Sequence, residues 1–506
     1  MNILFLLGKF PSIGGVETVT AILANEFSAR GHAVHVVSFE QVTEKPSPAL
    51  DERVTLHRLS YPVSSRANRN ALRDILATCR IDVIINQWCL PFHVTRLCRK
   101  AMRGLPCRLL AVHHNAPDCN ARLEGLRMRM ARTGNPVNRA FLRLLLKGCA
   151  MATGASLRYV YAHSNRYILL SDSFHQAFRN ITGLKDTGKL LTIPNPITVE
   201  NPEFRYDPAL KKKEVLFVGR LEPNQKRVSR VLETWALLEP CFPDWTLRLV
   251  GDGPEKRSLQ EFCEEHRLKH VSFEGFQNPA PYYEQASLLF LTSEYEGFGL
   301  VIVEGMSFGV SPIVYGSFSA AYDLVDHGKD GCILPAAGGF QAHRMAEMAA
   351  GLMREPAALR AMARNAIAKS RKFTREHIIP QWEKAFLPDG LELIEVGTHH
   401  IGFHRKLGGR GEKNDLDCSV VLADLLGDGD AVFSRHDDIQ KQDIIPHALF
   451  DLGQQIQRTA ERCALDLDAA LSAVFFQQGR QLIQNSLVVV AECDLDHSGF
   501  HILCSC

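Results

Sequence analysis

Short apolar runs alternate with longer stretches of helical spacing along most of the chain. Residues 3–7 are continuously apolar and end at Gly8; Val16, Val19, Ile22, Leu23 and Phe27 then recur with helical spacing up to Gly31. This predicts strand, loop and helix. Further strands are predicted at 34–37, 81–85, 109–112, 168–170 and 190–193. After the turn-rich Ile193-Pro-Asn-Pro and a polar stretch at 201–213, the alternation restarts with strands predicted at 215–218, 247–250, 271–273, 288–291 and 313–314. Near-continuous apolar strands separated by helices predict parallel sheets covered on both faces.

The predicted fold class is therefore α/β: two doubly wound, Rossmann-like domains over residues 1–196 and 197–387, hinged near 196–213 and facing a cleft. Ligands of such folds bind at the carboxyl ends of the strands. A helix-like stretch at 374–386 closes this part. Residues 388–506 differ in texture, being Gly-rich around 408–411, repeatedly Asp-Leu-Asp, and only moderately helix-like at 444–465 and 469–483. A small appended domain, a disordered extension and frameshifted or readthrough sequence never selected to fold all remain open for this extension.

The whole chain of 506 residues carries 58 Lys and Arg against 56 Asp and Glu, a formal charge of +2. That balance hides a split. Residues 388–506 hold 9 basic and 19 acidic side chains, which leaves +12 on the first 387 residues. Fourteen cysteines without CxxC spacing argue for reduced thiols and against zinc. No apolar stretch approaches about 18 residues and the N-terminal run is too short for a signal peptide, so the expectation is a cytoplasmic protein.

The most specific chemistry lies in Glu296-Gly-Phe-Gly-Leu-Val-Ile-Val-Glu304, two carboxylates in a loop and helix following an apolar strand. Gly297 and Gly299 allow backbone to come close to a ligand, and a helix starting there points free amides at phosphate oxygens. Upstream, Gly219 and Arg220 follow a strand and Lys226 begins the next helix. Arg220 can fork onto one phosphate while Lys226 adds a point charge. Alone, such an Arg and Lys would read as ordinary surface residues of a βα loop.

With the Gly14-Gly15-Val-Glu17 loop, the Ile193-Pro-Asn-Pro junction and Val250-Gly-Asp-Gly-Pro254, these motifs resemble the family-four glycosyltransferases over roughly residues 1–387. The resemblance implies the GT-B fold, a retaining mechanism and a nucleotide-sugar donor, most simply a UDP-sugar. It implies that Arg220 and Lys226 hold the donor diphosphate, Glu304 the ribose and Glu296 the sugar hydroxyls. Amides of Phe298, Gly299 and Leu300 would assist, and Gly14 and Gly15 would approach from the opposite domain. It also implies a histidine facing the donor sugar, for which His114 is favoured and His113 competes. The expected acceptor is a saccharide or lipid-linked saccharide in surface polysaccharide or glycolipid synthesis.

No nucleophile stands at a strained elbow or triad spacing, and Arg220, Lys226 and helix amides can stand in for a divalent metal, so neither metal nor cofactor is expected. The Asp-x-Asp pairs at Asp415, Asp428, Asp466 and Asp494 lie far from the sugar motifs along the chain. An epimerase or phosphorylase of the same fold, or a noncatalytic sugar-binding partner, would reuse the cleft.

Residues 122–166 carry nine basic side chains against the single acid Glu124, interleaved with Leu, Met and Phe. A basic amphipathic segment predicts an anionic membrane surface as partner, on the inner face of the cytoplasmic membrane. Nucleic acid is not expected, since no reading module accompanies the patch.

Overall fold

The computed structural model describes residues 1–12, 14–42, 49–388, 391–396 and 399–405. Residues Met1–Trp382 form one compact unit and a second begins at Glu383. The first unit holds two parallel sheets. Strands β1 (Asn2–Lys9), β2 (Ala33–Glu40), β3 (Thr55–Arg58), β4 (Val83–Asn86), β5 (Arg108–His113), β6 (Arg166–Leu169) and β7 (Leu190–Thr192) build the seven-stranded sheet. Strands β8 (Glu214–Val218), β9 (Thr246–Val250), β10 (Val271–Gly275), β11 (Leu288–Leu291), β12 (Ser311–Gly316) and β13 (Cys332–Pro335) build the six-stranded one. In the second unit β14 (Leu391–Val396) and β15 (His399–Arg405) pair as an antiparallel hairpin.

The strand orders are β3-β2-β1-β4-β5-β6-β7 and β10-β9-β8-β11-β12-β13. Each runs outward in one direction and then reverses, between β1 and β4 and between β8 and β11. At such switch points the flanking connections leave on opposite faces and open a crevice beyond the strands' carboxyl ends. Leu4, Leu6 and Val37 pack under the helices Arg66–Thr78 and Phe92–Ala101, whereas Val215, Phe217 and Leu249 pack against Trp235 and Leu238 of Val228–Leu238.

The doubly wound architecture expected from the sequence is the observed one. Its misses are β3, whose Thr-Leu-His-Arg lies exposed at the sheet edge and lacks an apolar run, and the four-residue β13. The extension's Asp-x-Asp pairs and helix-like stretches lie outside the described residues.

The basic segment is not one element. It divides into the helices Ala121–Arg132 and Pro136–His163, and Arg166 opens β6. Asn135 caps the second helix by accepting from the amides of Val137 and Asn138. The expectation of no apolar stretch near 18 residues is corrected, because Pro136–His163 is long and apolar enough to cross a membrane by length and composition. The cations Arg139, Arg143 and Lys147 in its amino half interrupt the apolar run and concealed this length in the sequence.

Candidate functional site

Two loops of the second sheet meet across its switch point. The loop after β8 turns through Gly219 at φ 154° and is shaped by Glu222, whose carboxylate accepts from the amides of Asn224 and Gln225 at 3.1 and 2.7 Å. The loop after β11 is tied to it, because the Glu294 amide donates to the Gln225 carbonyl at 2.7 Å and the Thr292 hydroxyl donates to the Arg227 carbonyl at 3.1 Å. This stitching brings Lys226 to Glu296, 70 residues later: Nζ lies 2.6 Å from Oε1, and the Ser293 hydroxyl donates to the same oxygen at 2.6 Å. Both charged side chains are largely out of water, at 17% and 8% exposure.

Glu304 lies one turn into the helix Leu300–Ser307 and is buried. The Tyr283 hydroxyl donates to one carboxylate oxygen at 3.1 Å and the Thr198 hydroxyl donates to the other. Burial pushes the Glu304 carboxyl up, and those two bonds and the Lys226 charge oppose the shift. Gly299 caps the helix at φ 90°, a left-handed conformation that favours glycine. Phe298 turns inward and packs edge-on against Phe373, whereas Arg220 is exposed and makes no hydrogen bond to a described residue.

The first sheet supplies the facing wall. A Cβ on Gly297 would stand 2.0 Å from the His114 carbonyl oxygen and 3.0 Å from Asn115 Oδ1, so the loop after β11 lies against the loop after β5. A Cβ on Gly15 would stand 3.5 Å from Leu300 Cδ1, which brings the Gly14-Gly15 loop beside the start of the Leu300–Ser307 helix. Asp323 joins the halves elsewhere by accepting from the Ser173 amide at 3.0 Å and from the Ser171 hydroxyl. Arg375 bridges Glu26 and Glu200.

The two histidines part company at the end of β5. His113 is buried, with Nδ1 2.9 Å from the Tyr167 hydroxyl and 3.5 Å from Cys89 Sγ, and burial pulls its pKa down to about 4. His114 is half-buried, with Nε2 2.6 Å from Gln87 Oε1; burial, aided by His113, pulls its pKa down to about 3. Both rings are therefore neutral at pH 7.

Gln87, Ser293, Tyr283 and Thr198 were missed by the sequence reading. The first had a signal, since Asn86-Gln87 is a polar doublet ending the apolar run of β4. Gln87 is 5% exposed and its side-chain nitrogen has no partner. Among the described residues, His35, His57 and Cys79 form a group with ligand atoms within 4.8 Å of one another, on β2, β3 and the end of Arg66–Thr78. None of these lies in the loops after β8 and β11.

Two family models match the chain: Glycosyltransferase Family 4 over residues 13–201 and Glycosyl transferases group 1 over residues 200–369. The chain belongs to the group 1 and family 4 glycosyltransferases. It is 27% identical over 400 residues to an exopolysaccharide phosphotransferase of Streptomyces coelicolor, covering 76% of this chain but 40% of that protein. An uncharacterized glycosyltransferase of Haemophilus influenzae is 23% identical over 75% of this chain and 98% of its own length. A Campylobacter jejuni α-1,4-N-acetyl-D-galactosaminyltransferase acting on a diphosphoundecaprenol-linked saccharide is 26% identical over 36% of this chain and half of that protein. Among solved structures, Anabaena HepE in complex with UDP has TM-score 0.55 and 18% identity, covering 76% of this chain and 98% of its own. This likeness fixes the fold as GT-B.

Proposed function

We propose that this glycosyltransferase is a retaining, metal-independent enzyme that moves a sugar from a UDP-sugar to a saccharide or lipid-linked saccharide, at the inner face of the cytoplasmic membrane. The observation that carries the reading is the meeting of Lys226 and Glu296 at the switch point, beside Gly219 and the start of the Leu300–Ser307 helix. UDP in HepE and the lipid-linked acceptor of the Campylobacter relative support the two substrate classes.

In this reading the diphosphate lies between Arg220, Lys226 and the helix amides. These supply fixed positive charge where negative charge develops as the sugar departs. A phosphate there competes with Glu296 for Lys226 and frees the carboxylate to take sugar hydroxyls. Glu296 then orients the sugar rather than attacking it, with the Ser293 hydroxyl still holding its Oε1. The acceptor hydroxyl then attacks on the face the diphosphate leaves, passing its proton to a phosphate oxygen. His114, held by Gln87 on the first sheet's side of the cleft, presents a neutral ring to the sugar.

A thermal-shift screen of nucleotide sugars identifies the donor, and acceptor-dependent release of UDP then measures transfer. Full turnover by Glu296→Ala would refute the site. Turnover abolished by EDTA and restored by a divalent metal would refute metal independence.

A further inference from the structure

The sequence attributes membrane affinity to arginines, but the structure exposes an apolar face beside them. The carboxyl half of the helix Pro136–His163 is seated in the first sheet's domain: Leu157 and Val160 are buried, and a Cβ on Gly154 would stand 2.1 Å from the Ile181 carbonyl oxygen. The amino half projects. Val137, Phe141, Leu144 and Met151 are 61–74% exposed and Leu145 is 38% exposed. At 3.6 residues per turn, these five side chains fall within an arc of about 120°. Arg139, Arg143 and Lys147, all exposed, form an i, i+4 ladder on the adjoining flank. Leu142, Leu146 and Cys149, on the side opposite the exposed stripe, are only partly exposed.

We propose that this stripe docks on an anionic lipid bilayer, with the helix lying in the interface plane and its apolar side chains inserted among the acyl chains. The inference rests on the membrane-surface part of the reading above and assigns it to specific residues.

The occupant follows from charge. The stripe is flanked by three cations, and the preceding helix adds the exposed Arg122, Arg129 and Arg132. The only acid from 122 to 166, Glu124, is paired with Arg127. Two cations counted in the sequence patch serve the fold instead, Arg158 donating to the Thr182 carbonyl at 2.9 Å and Arg166 standing at the start of β6. A bilayer crossing needs about 20 predominantly apolar residues. Here a cation recurs every turn from Arg139 to Lys147 and the carboxyl half is committed to the domain, which is the pattern of an interfacial helix.

The test is flotation of the full chain with vesicles of phosphatidylcholine containing 30% phosphatidylglycerol, against phosphatidylcholine alone, with UDP-induced thermal shift as a separate readout. Each Lys or Arg near an anionic surface strengthens partition by about fivefold, so replacing Arg139, Arg143 and Lys147 by Gln weakens it by about 100-fold. Phe141→Ser with Leu144→Ser, at exposed positions, weakens it at least tenfold, and the UDP shift is unchanged in both variants. Carbonate at pH 11 releases the bound wild type.

Binding that survives either variant, equal binding to uncharged vesicles, or retention through carbonate overturns the proposal. So does a dimer that Phe141→Ser dissociates in a chain that ignores vesicles, since the stripe would then be an interface between copies. Vesicle binding without a UDP shift leaves this proposal standing and defeats the donor reading instead.

Discussion

Gly297→Ala tests whether the facing wall is part of the working site. Gly297 is not in a left-handed conformation, so an added methyl acts through contact rather than backbone strain. Its Cβ would stand 2.0 Å from the His114 carbonyl oxygen, and both are backbone-fixed, so no flexible side chain can yield. Since ordinary C···O approach is about 3.3 Å, the loops after β5 and β11 must separate by roughly 1.3 Å. Misplacing reacting groups by about 1 Å costs on the order of 100-fold in rate, equivalent to roughly 2.7 kcal/mol of barrier. The expected result is a kcat/KM about 100-fold lower for acceptor-dependent UDP release. UDP binding by calorimetry should fall much less, because Arg220 and Lys226 are on the second sheet's loops. An unchanged kcat/KM in a stably folded variant would refute the placement of His114 against this loop during turnover.

Three further outcomes are expected. Lys226→Ala strands Glu296 with only the Ser293 hydroxyl; breaking a pair buried to this degree costs about 3 kcal/mol, seen as a lower urea midpoint, and UDP should no longer raise Tm. Gln87→Leu releases the His114 ring and removes about 1 kcal/mol of hydrogen bonding, so kcat should fall by roughly tenfold while UDP affinity holds; an unchanged kcat would separate His114 from the reaction. His113 and His114 have pKa values depressed below 6.5, so the unfolded chain binds more protons as pH falls. Their stabilising contribution is present above pH 6.5 and is lost toward pH 4, by about 1.4 kcal/mol per pH unit per histidine, and His114→Gln should flatten the measured slope.

The net charge of +2 is the sum of two unlike parts. The +12 of residues 1–387 would suit the diphosphate ligand and anionic surface proposed above. Within it, the structure ties the Arg158 guanidinium to the Thr182 carbonyl and leaves Arg139, Arg143 and Lys147 exposed, a division that depends on packing alone.

Much of the fold was legible because apolar period and glycine position are local properties. The strands of both sheets' centres and the Gly219 and Gly299 turns are each written in a few neighbouring residues. Exposed β3 and the short β13 were not, because they take their place from neighbours rather than from their own pattern. The sequence by itself placed Lys226 near the start of a helix and Glu296 in a loop after a strand; only the tertiary structure decided that they touch, since the order β8-β11 joins segments 70 residues apart. It likewise separated His113, turned to Tyr167, from His114, set against Gln87 and the Gly297 loop. Periodicity identifies an apolar face, but only packing decides whether that face is covered. That is why the helix Pro136–His163 reads as basic in sequence and presents an apolar stripe in space.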